Sequence, residues 1–300
     1  MKNKTLLIAG GTGFIGQALA ARLNAQGFDV WVVGRDAKKI KKNCGAQVKA
    51  LQWDALQECE TSFAGIINLT GESIASGRWS SAKKARLINS RFNATRALVK
   101  FCLAARQLPN FFIQTSAIGF YGSQGEQTIT ENSAPTACFA HDLCKQWEAA
   151  IDPLITTNIR VCIARLGVVL DKSGGAYPQM AAPFKCKIAL TQGDGTQWFS
   201  WLSLHDALAA FMWLIKQPQA SGIYNLTSPM PLTNRDFTHW LGEHYGCRLK
   251  GFIPAPLLRL MLGEMADELI LASQRVVPLR LQTEGFIFQH STLRIFLDEC

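Results

Sequence analysis

The stretch from Leu6 to Leu23, LLIAGGTGFIGQALAARL, constrains this chain more than any other. Its first residues are apolar without polar alternation, the mark of a short strand buried on both faces of a parallel sheet. A burst of glycines comes next. Then Ala18, Leu19 and Leu23 recur at a spacing that lets them share one face of a helix over residues 17–26. The glycines form the pattern Gly10-x-x-Gly13-x-x-Gly16, with Gly11 in addition. A strand before and a helix after give that pattern its meaning. Glycine allows the tight turn. It lets a pyrophosphate approach main-chain N–H groups where the helix dipole favours negative charge. It also lets the helix lie close to the strand. Gly10, Gly11, Thr12, Gly13, Phe14, Ile15 and Gly16 are therefore the candidate phosphate cradle of a dinucleotide site.

The first half of the chain continues to alternate. Strands are expected at TLLIAG, at DVWVVG (29–34), at GIINLTG (65–71), at NFFIQTSA (110–117) and at IRVCIARLG (159–167), with helices over 82–106 and around 142–151. Such alternation implies βαβ units with right-handed crossovers, hence a doubly wound parallel sheet covered on both faces. After Gly167 the pattern changes. Residues 171–200 lack clear periodicity, a helix is expected over 202–217 and a strand at GIYNLTS, and prolines then punctuate helical stretches. The expected architecture is an α/β Rossmann domain over 1–170 and 203–227, with a small C-terminal substrate lobe formed by 171–202 and 228–300.

The end of the second strand tests which nucleotide is bound. An NAD site usually carries an acidic residue there for the ribose hydroxyls. This chain has Gly34 at that position and Arg35 after it, with Lys38 and Lys39 beyond. A guanidinium binds a 2′-phosphate that a carboxylate would repel. NADP(H) is favoured over NAD(H). Asp36 competes as a ribose ligand if the strand ends one residue later, and Asp54, after the expected third strand, either sits beside the adenine or caps the next helix.

Composition removes other classes. The net charge is +9, but no basic stripe with interleaved aromatics suggests a nucleic-acid partner. No run reaches membrane-spanning length, and the apolar stretch after MKNK is too short for a signal peptide. Nine scattered cysteines without a C-x-x-C pair argue for a reducing, cytoplasmic setting rather than a disulfide framework or a zinc site. The five histidines show no metal-ligand spacing, and no metal site is expected.

The glycine pattern, INLTGE, TSAIGFYG, GDGTQWFSWLSLHDAL, GIYNLTSP and EGFIFQHSTL stand in the order found in extended short-chain dehydrogenase/reductases. GRW (77–79), SR (90–91), LCKQWE (143–148) and RVVPLRLQTEGFIF resemble, more narrowly, the bacterial epimerase-family branch often labelled nucleotide-sugar epimerase or cell-division inhibitor. That branch is similar to the giant chloroplast protein of plants. The resemblance spans essentially the whole chain. It implies a seven-stranded Rossmann sheet and a lobe closing over its C-terminal edge. It also implies that Asn68, Leu69, Thr70 and Gly71 lie along the nicotinamide ribose, with Ser116 and Ala117 beside the nicotinamide.

One part of the family pattern is missing. Short-chain dehydrogenases use a tyrosine and a lysine four residues later on one helix, the lysine lowering the tyrosine pKa. Here the four tyrosines at 121, 177, 224 and 245 are succeeded at that spacing by Gly125, Ala181, Ser228 and Leu249. Aligned on Glu148, the dyad positions are Ala140 and Cys144; a slip of one residue gives Phe139 and Leu143. Ser116 supplies the strand-end hydroxyl that would orient a carbonyl, with Thr115 beside it. Tyr121 is the candidate substitute acid, if it faces the cleft rather than packing in a turn. On the same helix His141 is expected to be exposed, Cys144 to be buried and inert, and Lys145 and Glu148 to pair on the surface.

On the substrate side, Arg78 and Trp79 make a candidate anionic-plus-aromatic recognition pair. Arg165 either holds an anionic group or fixes the lobe. Trp198 and Trp201 read as lobe packing and Asp206 as helix-end chemistry. Two functional readings emerge. One is an NADP-dependent oxidoreductase or epimerase acting on a small molecule, a nucleotide-sugar among the candidates. The other is a non-catalytic NADP(H)-binding sensor or regulator. Association into a homodimer stays open.

Overall fold

The structure, a computed structural model, describes residues 4–299; Met1 to Asn3 and Cys300 lie outside the described residues. Seven strands form one parallel sheet: β1 (Thr5–Ala9), β2 (Asp29–Gly34), β3 (Lys49–Gln52), β4 (Gly65–Asn68), β5 (Phe111–Ala117), β6 (Arg160–Leu166) and β7 (Gly222–Leu226). Their order across the sheet is β7-β6-β5-β4-β1-β2-β3. The chain therefore winds outward from β1 in one direction and, after crossing at β4, in the other. This reversal opens a crevice beyond the strands' C-terminal ends, where open α/β sheets bind ligands.

Successive β1 residues show why the sheet needs cover on both faces. Leu6 and Ile8 enter one core cluster, while Leu7 and Ala9 enter the other. Phe111 and Ile113 against Phe112 repeat the division in β5. Each such fully buried large side chain contributes about 1.5–3 kcal/mol of burial free energy. Helix α1 (Phe14–Ala25) supplies Leu19, Ala20 and Leu23 to the first face, and α3 (Ser81–Ala104) supplies Leu98, Val99 and Phe101 to the second. Helix α2 (Ala37–Cys44) closes the β2–β3 crossover, and α4 (Phe139–Ala149) comes after β5.

The region between β6 and β7 that lacked periodicity is ordered. Val168–Asp171 pairs in parallel with Trp201–Ser203, and Ile188–Gln192 pairs in parallel with Leu249–Ile253. Helix α5 (Tyr177–Lys185) stands between them, and α6 (Leu204–Lys216) returns to the main sheet beside α1. Past β7, α7 (Asn234–His244), α8 (Ala255–Leu262) and shorter turns surround a separate cluster containing Tyr177, Phe184, Trp201, Phe237 and Phe296. Among the described residues no helix is long and apolar enough to cross a membrane. The eight described cysteines are all free thiols.

Candidate functional site

The glycine corner, residues 10–16, links β1 to helix α1. Every carbonyl in it is tied down: Gly10 O accepts from Gly13 N, Gly11 O from the Cys44 thiol, Thr12 O from Gln17 Nε2 and Gly13 O from Gln17 N. The helix α1 begins after Gly13 with no side-chain cap and no acidic residue in its first turn. Its opening amides, which an α-helix leaves without intrahelical acceptors, therefore face outward with the positive end of the dipole. The absence of Cβ atoms lets the chain segments approach closely here. Gly10 has φ +78°, and a Cβ there would lie 2.5 Å from Leu69 O; one on Gly16 would lie 2.4 Å from Gly10 O. At Gly13 a Cβ would meet only Gly10 O, at 3.3 Å. The Phe14 ring packs against Gly174 and Gly175. Ile15 leans on the first core cluster, so both residues offer the cradle their main chain.

At the end of β2, Arg35 is exposed and makes no hydrogen bond or ion pair among the described residues. Asp36, its competitor for a ribose, caps α2 instead: its carboxylate accepts from Lys38 N and Lys39 N. Asp54 is exposed after β3 and its carboxylate accepts from the neighbouring Ala55 N. One oxygen of Asp36, Oδ1, is thus committed to the α2 cap.

The strap after β4 is held from beneath. Asn68, fully buried, donates to Thr95 and Gln114 and accepts from the amide and hydroxyl of Thr70. It positions the strap and has no free group for a ligand. Leu69, Thr70 and Gly71 run on beside the glycine corner. Three residues of α3 pin Glu72, the next along the strap: Ser90 Oγ accepts from Glu72 N, Arg91 donates to Glu72 O, and Lys83 Nζ meets Glu72 Oε1 at 2.6 Å. Lys83, only 5% exposed, also binds Ser73 O and Ser76 Oγ. Hydrogen bonding and charge from Lys83 hold the Glu72 carboxyl below the usual carboxylate range. A lysine in the charged first turn of a helix reads from sequence as solvated, and its burial is the part of the site that sequence reasoning missed.

Ser116, next to last in β5, is buried, its Oγ without a hydrogen-bond partner among the described residues, although the Cys144 thiol stands close enough to feel it. Thr115 Oγ1 is spent on Asn68 O. On α4, Ala140 packs so closely that a Cβ on Gly119 would meet its own at 3.2 Å. Cys144 points its thiol at Ala117 O. Burial, with the Glu148 carboxylate, pushes that thiol up to about 11, so it is undissociated at neutral pH.

Several side chains expected at the site lie elsewhere. Tyr121 is fully buried in the turn after β5 and donates to Asn225 Oδ1 at 2.7 Å, so packing, the alternative to the cleft, is its place. Burial pushes its hydroxyl above the ordinary tyrosine range, though Arg165 and Asn225 pull the other way. Arg165 is 2% exposed and grips Glu148 with two hydrogen bonds, Nε to Oε1 at 2.9 Å and Nη2 to Oε2 at 2.7 Å. Its guanidinium lies over the Phe120 ring, 3.4 Å from the centroid. It presents no face to a substrate, and Glu148 is no surface partner of Lys145. The expectation of an exposed His141 is also corrected: the ring is buried with Nδ1 2.7 Å from Phe120 O, because the 118–121 turn folds over α4. Of the recognition pair, Arg78 is exposed, whereas Trp79 is half-buried against Phe139 and donates to Ile74 O.

A cluster that no sequence spacing revealed gathers His205, Asp206 and His290. Its atoms are engaged with one another and with the chain: Asp206 accepts from Gln289 N and His290 N, and His290 contacts Ser203 Oγ and Glu299. The cluster clasps the C-terminal segment onto the start of α6, beyond the helix-end role expected of Asp206.

Comparisons with known proteins identify the family and the fold. Residues 6–227 match the model of the NAD dependent epimerase/dehydratase family, and residues 253–300 match a domain of unknown function, DUF1731. The chain is 35% identical over 293 residues to Epimerase family protein Mb2239 of Mycobacterium bovis, covering 98% of this chain and 96% of that one. Human epimerase family protein SDR39U1 (isoform 2), solved with NADPH, superposes with a TM-score of 0.90 at 28% identity, covering 98% of both chains. A nucleoside-diphosphate sugar epimerase from Corynebacterium glutamicum superposes with a TM-score of 0.77 at 29% identity, covering 97% of this chain and 57% of that one.

Proposed function

Because the chain belongs to the NAD dependent epimerase/dehydratase family, we propose that it binds NADP(H) and exchanges hydride with a small carbonyl-bearing substrate, a nucleotide-sugar being the first class to try. The observation that carries the coenzyme choice is the unpartnered, exposed Arg35 at the end of β2, beside an anion cradle and with Asp36 withdrawn into a helix cap. The NADPH in the human relative supports it. Gly10 to Gly16 would hold the pyrophosphate through main-chain amides, Arg35 the 2′-phosphate, and Leu69 to Gly71 the far ribose. Asp54 would lie near the adenine. Residues 171–202 and 228–300 would form the lobe that closes on the substrate, with Arg78 at its rim. Cytoplasmic operation is part of this reading, in keeping with free cysteines.

Bound NADPH would supply the hydride. The chain's part is to polarise the acceptor oxygen, which the free Ser116 hydroxyl suits. With Tyr121 sealed in the core and Ala140 and Cys144 at the dyad positions, the proton comes from water. The same facts favour a second reading, a non-catalytic NADP(H)-binding sensor.

Titration calorimetry with NADPH and NADH tests the binding. NADPH should bind more tightly, and Arg35→Ala should remove most of that preference, about tenfold in Kd for one charge-assisted phosphate contact at the surface. Unchanged NADPH affinity in Arg35→Ala would refute the NADP assignment. Nicotinamide absorbance across a panel of carbonyl compounds and nucleotide-sugars then separates the readings. Turnover lost in Ser116→Ala supports the enzyme, and tight binding without turnover supports the sensor.

A further inference from the structure

Two buried polar atoms near the C-terminal ends of β4 and β5 lack the hydrogen bonds such atoms almost always find. One is Ser116 Oγ. The other is Arg91 Nε, on α3. Arg91 is 9% exposed. Its Nη1 donates to Leu87 O and its Nη2 to Glu72 O, both at 3.0 Å, and its guanidinium lies 5.0 Å from the centroid of the Trp147 ring. It forms no ion pair among the described residues; the nearby Glu72 carboxylate is engaged by Lys83 and approached by Arg86. An N–H donor on a buried, uncompensated cation is costly to leave without an acceptor.

The surroundings say where an acceptor would stand. The guanidinium lies against Gly71, so a Cβ on that residue would be 3.2 Å from Nε and 2.9 Å from Cζ. Gly71 itself is exposed, so the space beside it is open to solvent. On the other side the cation is felt by the Cys144 thiol, as is the Ser116 hydroxyl. Arg91, on α3, and Ser116, on β5, thus both come within electrostatic reach of Cys144. Arg91 Nε and Ser116 Oγ are each without a hydrogen-bond partner among the described residues, and the charge that helix α4 brings near the cysteine, the Glu148 carboxylate, is already bonded twice by Arg165.

We infer that Arg91 and Ser116 form a two-point polar contact for the ribose–nicotinamide half of the coenzyme, with Arg91 donating from Nε beside Gly71 and supplying the site's positive charge. This rests on the coenzyme reading above and adds a residue to it. Arg91 also braces the strap through Glu72 O, as Ser90 does through Glu72 N, so the two duties have to be separated. The test uses two ligands and measures Kd by calorimetry on the full chain, with thermal melts to confirm folding. NADPH carries both halves of the coenzyme. Adenosine 2′,5′-bisphosphate carries only the half remote from Arg91.

Arg91→Met should weaken NADPH by about tenfold, the scale of one charge-assisted hydrogen bond, and leave adenosine 2′,5′-bisphosphate within about twofold. Ser116→Ala, milder in its effect on packing, should show the same selectivity with a smaller loss. Ser90→Ala, which loosens the strap and spares the cation, should cost NADPH clearly less than Arg91→Met does and leave adenosine 2′,5′-bisphosphate within about twofold. The inference is overturned if Arg91→Met binds NADPH as the unaltered protein does, if it loses both ligands equally, or if Ser90→Ala reproduces its selective loss. An unaltered protein that binds neither ligand sinks the coenzyme reading itself, and this inference with it.

Discussion

Replacing Arg165 by methionine separates its two candidate roles. The guanidinium is buried, bonded twice to Glu148 and stacked on Phe120 and Tyr121. Methionine keeps much of the stem and some of the ring contact but leaves the Glu148 carboxylate, whose side chain is 10% exposed, without its cation. Removing one partner of a buried pair costs about 3–5 kcal/mol. Most of that is the uncompensated charge, so Arg165→Met with Glu148→Leu should recover all but about 1–2 kcal/mol of the unaltered stability. For a chain of 300 residues the single change should lower Tm by about 5–8 °C, taking an unfolding entropy of about 2.1 cal/mol/K per residue. Urea unfolding at neutral pH gives the free energies directly. NADPH affinity of the folded single variant should be unchanged, because the guanidinium is buried and committed to Glu148. A loss below about 1 kcal/mol, or a double variant no more stable than the single one, would refute the account of Arg165 as a buried structural cation.

Two further outcomes are expected from the same packing. Tyr121→Phe strands the Asn225 side-chain oxygen and should cost about 1–3 kcal/mol in denaturant unfolding while leaving NADPH binding intact; turnover abolished in a variant of undiminished stability would restore Tyr121 as an acid. With its thiol pushed up to about 11 by burial, Cys144 should resist iodoacetamide in native protein at about pH 8, while exposed Cys186 reacts, as peptide mass spectrometry would record. The sign is that of a raised group. Its stabilising effect is complete below the ordinary thiol range and fades as pH climbs toward the raised value, so labelling of Cys144 at neutral pH in folded protein would contradict the burial.

The parts of this molecule that depend on neighbours in sequence were legible from sequence. The strands bordering the glycine corner fall where apolar runs predict them, and the Rossmann order is the one their alternation implies. The parts that depend on distant partners were not. Tyr121 meets an asparagine 104 residues away, and the turn that buries His141 is packed by contacts absent from α4's own pattern. Arg165 and Glu148 are separated by 17 residues, a spacing with no meaning on either element alone. Lys83 reads as a solvated lysine because nothing local announces the Glu72 strap that folds over it. Of the candidate site, the main-chain cradle was readable because glycine spacing encodes it; the side-chain floor beneath it was not, because α3 supplies it from another crossover.

Glu268, on a short helical turn late in the chain, accepts the opening amides of α4, Phe139 N at 3.0 Å and Ala140 N at 2.7 Å. During synthesis those amides must wait until 128 more residues have emerged before their acceptor exists. The first turn of α4 is thus a late event in the birth of the protein, and a fragment ending at the family boundary near 227, once released from the ribosome, should hold the complete set of sheet strands beside an unfinished helix start.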